Sequence, residues 1–258
     1  SRKMNEAQPI ALTLCLCLLT AVSRILLKHG IESSNALTGM VVSLIIGWIA
    51  LTLASLFTVP LSAFNTKGVL FFALIGLVAP PVVRYLTYIG VERLGAARSD
   101  PVRALTPLFA VVFAMLFLGE KVGLNAFWGT LLIIGGVWLL SREGGRGGAR
   151  GRTWSKKDLL FPFAAAVLAG LVANMRKWGG GVLPSPVLAA TVAATSALIV
   201  FGAFTGVTGR WRKIQLNRRS TLYLLLSGLL TSATDVLDLV ALNSGRISVV
   251  VPLLATTP

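Results

Sequence analysis

Long apolar runs separated by short polar or charged stretches recur along the whole chain. A run of roughly 20 mostly apolar residues is long enough to cross a bilayer core about 30 Å thick. The pattern predicts helices over about 9–28, 37–60, 68–91, 101–118, 123–140, 159–177, 186–206 and 221–242, with a ninth starting near 247. Between the fifth and sixth runs lies SREGGRGGARGRTWSKKD, residues 141–158. This glycine-rich cationic linker forms no packed core and separates a unit over 1–140 from a second over 159–258.

The two units echo each other. Lys28-His29-Gly30 closes the first helix and Lys177-Trp178-Gly179 the sixth, a displacement of 149. DPVRALTP matches VPLLATTP at a displacement of 151, which brings Pro101 onto Pro252, Thr106 onto Thr257 and Pro107 onto Pro258. Two landmarks at nearly equal displacement predict duplication of a unit of about 150 residues. Five helices per unit is an odd number, so the second copy enters the membrane from the opposite side, giving an inverted repeat. The second copy stops at Pro258, so the repeat predicts a chain lacking roughly one and a half helices at its end.

Composition agrees with the pattern. Of 258 residues, 55% are hydrophobic and only 13% charged, where a soluble domain carries roughly 25% charged residues. The net charge of +15 comes from basic residues between the apolar runs, the ordinary orientation signal of a membrane protein, and points away from nucleic acid. Cys15 and Cys17, two apart in one helix, face different ways and make no disulfide framework. His29 is the sole histidine, so a His-rich metal centre is not expected. The first apolar run lacks a small-residue cleavage site and resembles a later helix, which argues against a signal peptide.

Pro107, the turn Gly119-Glu120-Lys121, Trp128-Gly129 and Gly135-Gly136-Val137 together resemble the EamA domain of the drug/metabolite transporter superfamily. The resemblance covers the first 140 residues well and the rest more loosely; where the family often has tryptophan-glycine in its first helix, this chain has Thr20-Ala21. It implies ten helices in two inverted five-helix repeats, a central cavity, and export or exchange of small metabolites. It leaves the substrate open.

Loop charges give an orientation. Seven basic residues fall on the face bearing the N-terminus and 14 on the other, with Arg24, Arg84 and Arg103 inside helices. The positive-inside rule therefore places the N-terminus outside, whereas the family usually has it inside.

Arg84 follows Pro80-Pro81 inside the third helix; two prolines remove backbone donors and free carbonyls at membrane depth, where broken helices commonly line a substrate site. On the 151 offset Arg84 falls on Asp235, and Pro80-Pro81 fall on Thr231-Ser232. Arg84 and Asp235, with Asp238 one turn on, are the expected lining of a translocation path. The competing reading is a structural ion pair, or an arginine snorkelling to the interface. Arg103, between Pro101 and Pro107, is placed to hold a carboxylate or phosphate at a positive helix N-terminus, or else is an interfacial charge. Arg24 offers less, since Lys28 follows and both are able to snorkel. Glu120 reads as a solvated turn residue. Gly39, Ser43 and Gly47, and Ala166 with Gly170, read as close-packing rows.

The expectation is thus an all-α inverted-repeat membrane transporter, in the plasma (inner) membrane, moving small polar metabolites such as amino acids by alternating access. A lipid or lipid-precursor flippase on the same scaffold is the alternative. No clustered His, Asp or Ser pattern suggests an enzyme, and no cofactor is implied. The implied partners are a small-molecule substrate and the lipid bilayer, with a homodimer left open and no nucleic acid.

Overall fold

The computed structural model describes residues 7–119 and 155–244, with 128, 129, 131, 132, 135, 136 and 139 between them. Glu120-Lys121 of the predicted turn, the fifth helix as a whole, most of the linker, and the segment holding Pro252, Thr257 and Pro258 lie outside the described residues.

Every regular element among the described residues is helical. We number the α-helices α1 (Ala7–Glu32), α2 (Ala36–Thr58), α3 (Thr66–Val78), α4 (Tyr85–Leu94), α5 (Ala96–Arg103), α6 (Thr106–Phe117), α7 (Leu160–Val182), α8 (Pro186–Val207) and α9 (Arg218–Ser244). Among the described residues, six stretches are long and apolar enough to cross a membrane: Ala36–Thr58, Thr66–Leu94, Arg98–Phe117, Lys157–Val182, Pro186–Val207 and Arg218–Asn243. The chain is an all-α polytopic membrane protein. Its outward positions carry Leu53, Leu56, Phe57, Leu116 and Phe117, all exposed, while much of its interior is alanine, glycine and serine. That is the arrangement lipid favours, because small residues let helices approach while long apolar ones meet acyl chains.

Local chemistry fixes the helix ends. Asn35 caps α2 by accepting from the Thr38 amide at 2.8 Å, and Ser185 caps α8, where Pro186 occupies the first turn. These two caps stand 150 residues apart, as do the ends of α1 and α7 at Glu32 and Val182. Ser155 and Asp158 form a reciprocal capping box in the short 3₁₀ turn Lys156–Leu159 that leads into α7.

Three predicted helices need correction. The third is interrupted: Ala79–Arg84 forms a π turn between α3 and α4, because Pro80 and Pro81 supply no N–H to the helical ladder. The fourth is two helices, since Pro101 lies inside α5 and Pro107 alone stands in the first turn of a helix, α6. The sixth continues past residue 177 to Val182, through Gly179-Gly180-Gly181.

Packing follows the small residues. In α3, Gly76 lies against the Ala193 backbone of α8; in α7, Gly170 lies against Phe109 and Ala110 of α6. The Gly39, Ser43 and Gly47 row faces α9 at Leu224, Gly228 and Ser232. Helices α1 and α9 run antiparallel, tied where Ser23 donates to the Ser227 carbonyl at 3.0 Å and Ser227 to the Ser23 carbonyl at 2.9 Å. Ser220 adds a bond to the Gly30 carbonyl at 2.9 Å. Interhelical hydrogen bonds in membranes each contribute on the order of 1 kcal/mol. Ser23→Ala is therefore expected to lower the unfolding free energy in detergent by about 1 kcal/mol; an unchanged unfolding midpoint would show that lipid-facing groups take up the slack.

Candidate functional site

The π turn delivers Arg84 to a position well inside the span Thr66–Leu94. Its Nη2 donates to Asp235 Oδ2 on α9 at 2.7 Å, joining two positions 151 residues apart, the offset of the expected repeat. Asp235 is not held by Arg84 alone. Arg176 of α7 approaches Asp235 Oδ1 at 3.5 Å and donates through Nη1 to Asp238 Oδ2 at 2.9 Å. Asp235 and Asp238 lie three residues apart on one face of α9, so one guanidinium reaches both. The result is a chain of alternating charge, Arg84–Asp235–Arg176–Asp238, across three helical elements. Its side chains are 15–23% exposed. Charges at this depth are costly alone, and the alternation gives each a partner of opposite sign.

Arg84, Arg176 and Asp235 border a cleft walled by α2, α3, α8 and α9. Ser232 lies on its lining, with its hydroxyl donating to the Gly228 carbonyl at 2.8 Å. Trp48 forms part of the opposite wall and donates through Nε1 to Thr195 Oγ1 at 3.0 Å. The α8 wall is four alanines, at 189, 190, 193 and 194, and presents no polar side chain. The cleft encloses about 430 Å³ including the part open to the outside, but the centre of a water molecule fits in only about 20 Å³ of it. That is room for about one water. The helices here are drawn together around the charges.

The remaining sequence candidates divide. Thr231 turns towards α1, where its hydroxyl meets Ser23 Oγ at 2.8 Å and donates to the Ser227 carbonyl. Asp238 joins the array through Arg176. Arg103 is elsewhere. It ends α5 instead of standing at the start of a helix, so the helix-dipole part of its expected role falls away, and its Nη1 donates to Thr87 Oγ1 of α4. Arg24 and Asp100 lie within electrostatic reach of it.

Arg176 is not among the expected site residues: it falls at the end of the helix expected over 159–177 and is counted with the basic residues of the N-terminal face. The signal was present: no charged residue follows Lys177 before Arg210, so the apolar stretch continues beyond it. Placing Arg176 inside α7 lowers the basic count of the N-terminal face from 7 to 6 and leaves the sign of the loop bias unchanged.

Comparison with known proteins fits this architecture. The model of the EamA-like transporter family matches residues 8–142. No curated protein matches the chain. A solved structure, described only as a crystal structure of a protein, is similar with a TM-score of 0.70 at 15% identity, covering 98% of this chain and 86% of that one. At that identity the likeness shows the fold.

Proposed function

The chain belongs to the EamA-like transporter family and is a multi-pass membrane transporter; we propose that it exports or exchanges small polar metabolites, amino acids or related compounds, across the plasma membrane by alternating access. The observation that carries this reading is the array Arg84–Asp235–Arg176–Asp238 bordering a narrow cleft between helices of the two sequence units. The recurrence of helix caps at a spacing of 150 supports the repeat on which such a mechanism turns.

The array's composition favours a particular cargo. Two arginines and two aspartates sum to zero charge. A zwitterion entering the cleft sets its carboxylate on a guanidinium and its ammonium on a carboxylate, so every charge keeps a partner. A dianion or a polyamine leaves the loaded site charged in a medium of low dielectric, which costs several kcal/mol per uncompensated ion. Binding must also separate the helices, since the cleft as closed holds about one water. Arg84–Asp235 is the contact that substrate has to loosen.

Reconstitution of the full-length protein into liposomes, with counterflow measured for zwitterionic, dianionic and polycationic metabolites with and without a pH gradient, tests the reading. Zwitterions are expected to exchange at least tenfold faster than either charged class. Scrambling of labelled lipid with no metabolite counterflow would replace the proposal by a flippase. In the same assay Arg176→Gln should lower counterflow at least tenfold, because it strips Asp238 of its cation.

A further inference from the structure

The connection from α8 to α9 gathers five cations: Arg210, Arg212, Lys213, Arg218 and Arg219. No acid lies between Asp158 and Asp235 in the sequence, and those two are engaged elsewhere, Asp158 with Arg93 and Asp235 with Arg84 and Arg176. Among the described residues, none of the five cations forms an ion pair. Glu32 closes α1 near the same edge, and counting it still leaves a surplus of four charges.

This loop has a fixed shape. After Gly209, whose φ is +62°, Arg210–Lys213 makes a 3₁₀ turn. Asn35 Nδ2 donates to the Lys213 carbonyl at 2.7 Å, and the Gln215 amide donates to Thr38 Oγ1 at 3.0 Å. Ile214 packs on the cluster that holds Leu37, Tyr88 and Phe201. Arg210 Nη1 donates to the Tyr85 hydroxyl at 3.3 Å, with its guanidinium 5.2 Å from the Phe204 ring centroid. The other cations are exposed, and among them stand Trp211 at 57% and Leu216 at 66% exposure. An orientation signal needs charge alone, with neither a pinned turn nor an outward tryptophan. Arg218 and Arg219 also stand in the first turn of α9, against its dipole, so helix stability does not account for them.

We propose that this loop is a docking surface for the anionic phospholipid headgroups of the adjoining leaflet. It joins the ends of two membrane spans, Pro186–Val207 and Arg218–Asn243, which sets it at headgroup level. Guanidinium forks match phosphate oxygens, a basic cluster beside a span attracts anionic lipid, and Trp211 and Leu216 meet the boundary of the acyl chains. The surface lies outside the cleft lining, and the proposal stands whether or not the Arg84 array carries transport.

The test is thermal unfolding of the purified full-length protein in detergent at constant ionic strength, with phosphatidylglycerol, phosphatidylcholine or inorganic phosphate titrated in. A ligand that binds the folded state raises the Tm with its occupancy. Phosphatidylglycerol is expected to act at a concentration at least tenfold lower than phosphatidylcholine. Joint replacement Arg212→Gln, Lys213→Gln, Arg218→Gln and Arg219→Gln should erase that preference, whereas Lys67→Gln, at the start of α3, should leave it intact. Trp211→Ala keeps every charge, and so the orientation signal, and should weaken the phosphatidylglycerol midpoint about threefold; it decides the matter if the fourfold variant fails to fold. Equal action of the two lipids overturns the proposal. So does a preference undiminished in both loop variants, or a rise that inorganic phosphate reproduces at the same concentration, which would assign the surface to a soluble anion.

Discussion

Asp235→Asn is expected to abolish transport, with counterflow falling at least a hundredfold, while the protein still inserts in the membrane. The carboxylate is the central link of the array: Arg84 holds one oxygen at 2.7 Å and Arg176 approaches the other at 3.5 Å. Neutralising it leaves two guanidinium groups to a single aspartate, Asp238, which pairs with Arg176. Removing one member of a buried pair strands the other, at about 3–5 kcal/mol when burial is complete. These side chains are partly exposed, so a loss of about 2 kcal/mol in unfolding free energy is the expected scale. Arg84→Gln should behave similarly. The decisive variant is the double replacement, Arg84→Gln with Asp235→Asn, which restores zero net charge and leaves Arg176–Asp238 as the remaining ion pair. It is expected to recover most of the lost stability and none of the transport. Full recovery of counterflow would reduce the pair to a structural brace, and wild-type counterflow in Asp235→Asn would remove it from the mechanism.

Gly76→Ala is the most damaging single-methyl change expected in the described helices. A Cβ at Gly76 would stand 2.4 Å from the Ala193 carbonyl oxygen and 2.8 Å from its Cα, both backbone atoms. No rotamer relieves that contact, so α3 and α8 must separate along the seam that holds Phe72, Ile75, Ala190 and Ala194. Overpacking of this kind costs about 1–3 kcal/mol, and we expect the upper end because the obstacle is main chain. Gly76→Leu should fail to give a monodisperse protein. Gly202 on α8 is the matched control: nothing lies within 4 Å of a Cβ placed there, and Gly202→Ala should change stability by less than about 0.5 kcal/mol. Unfolding in detergent, measured on both alanine variants, separates close packing from a general glycine effect. Equal losses would show that the α3–α8 seam tolerates expansion.

Which parts of this molecule were legible in the sequence follows from the length scale of each signal. A helix that must cross lipid needs about 20 apolar residues, so α2, α8 and α9 were readable within a few residues. The pairing of Arg84 with Asp235 was suggested by an expected repeat offset of 151, and the two residues that meet are separated by that number. What escaped depended on local exceptions. The double proline at 80 and 81 announced a break but not its form, a π turn. Pro101 looked like a helix start, yet α5 begins five residues earlier, past the sharp turn at Gly95. Arg176 was counted with the loop charges because the expected helix stops at residue 177, while packing against Phe71, Phe72 and Asn243 holds Gly179 and Gly180 in α7. Tertiary contact overrode propensity there.

The balance of two cations and two anions around the cleft has an electrical consequence. A transmembrane potential acts on net charge, at roughly 2.3 kcal/mol per elementary charge for each 100 mV crossed. A binding array that sums to zero is displaced through that field at no net work, and a zwitterionic cargo adds none. Movement of the array itself would then add no electrical work to the reorientation of the empty or the zwitterion-loaded form.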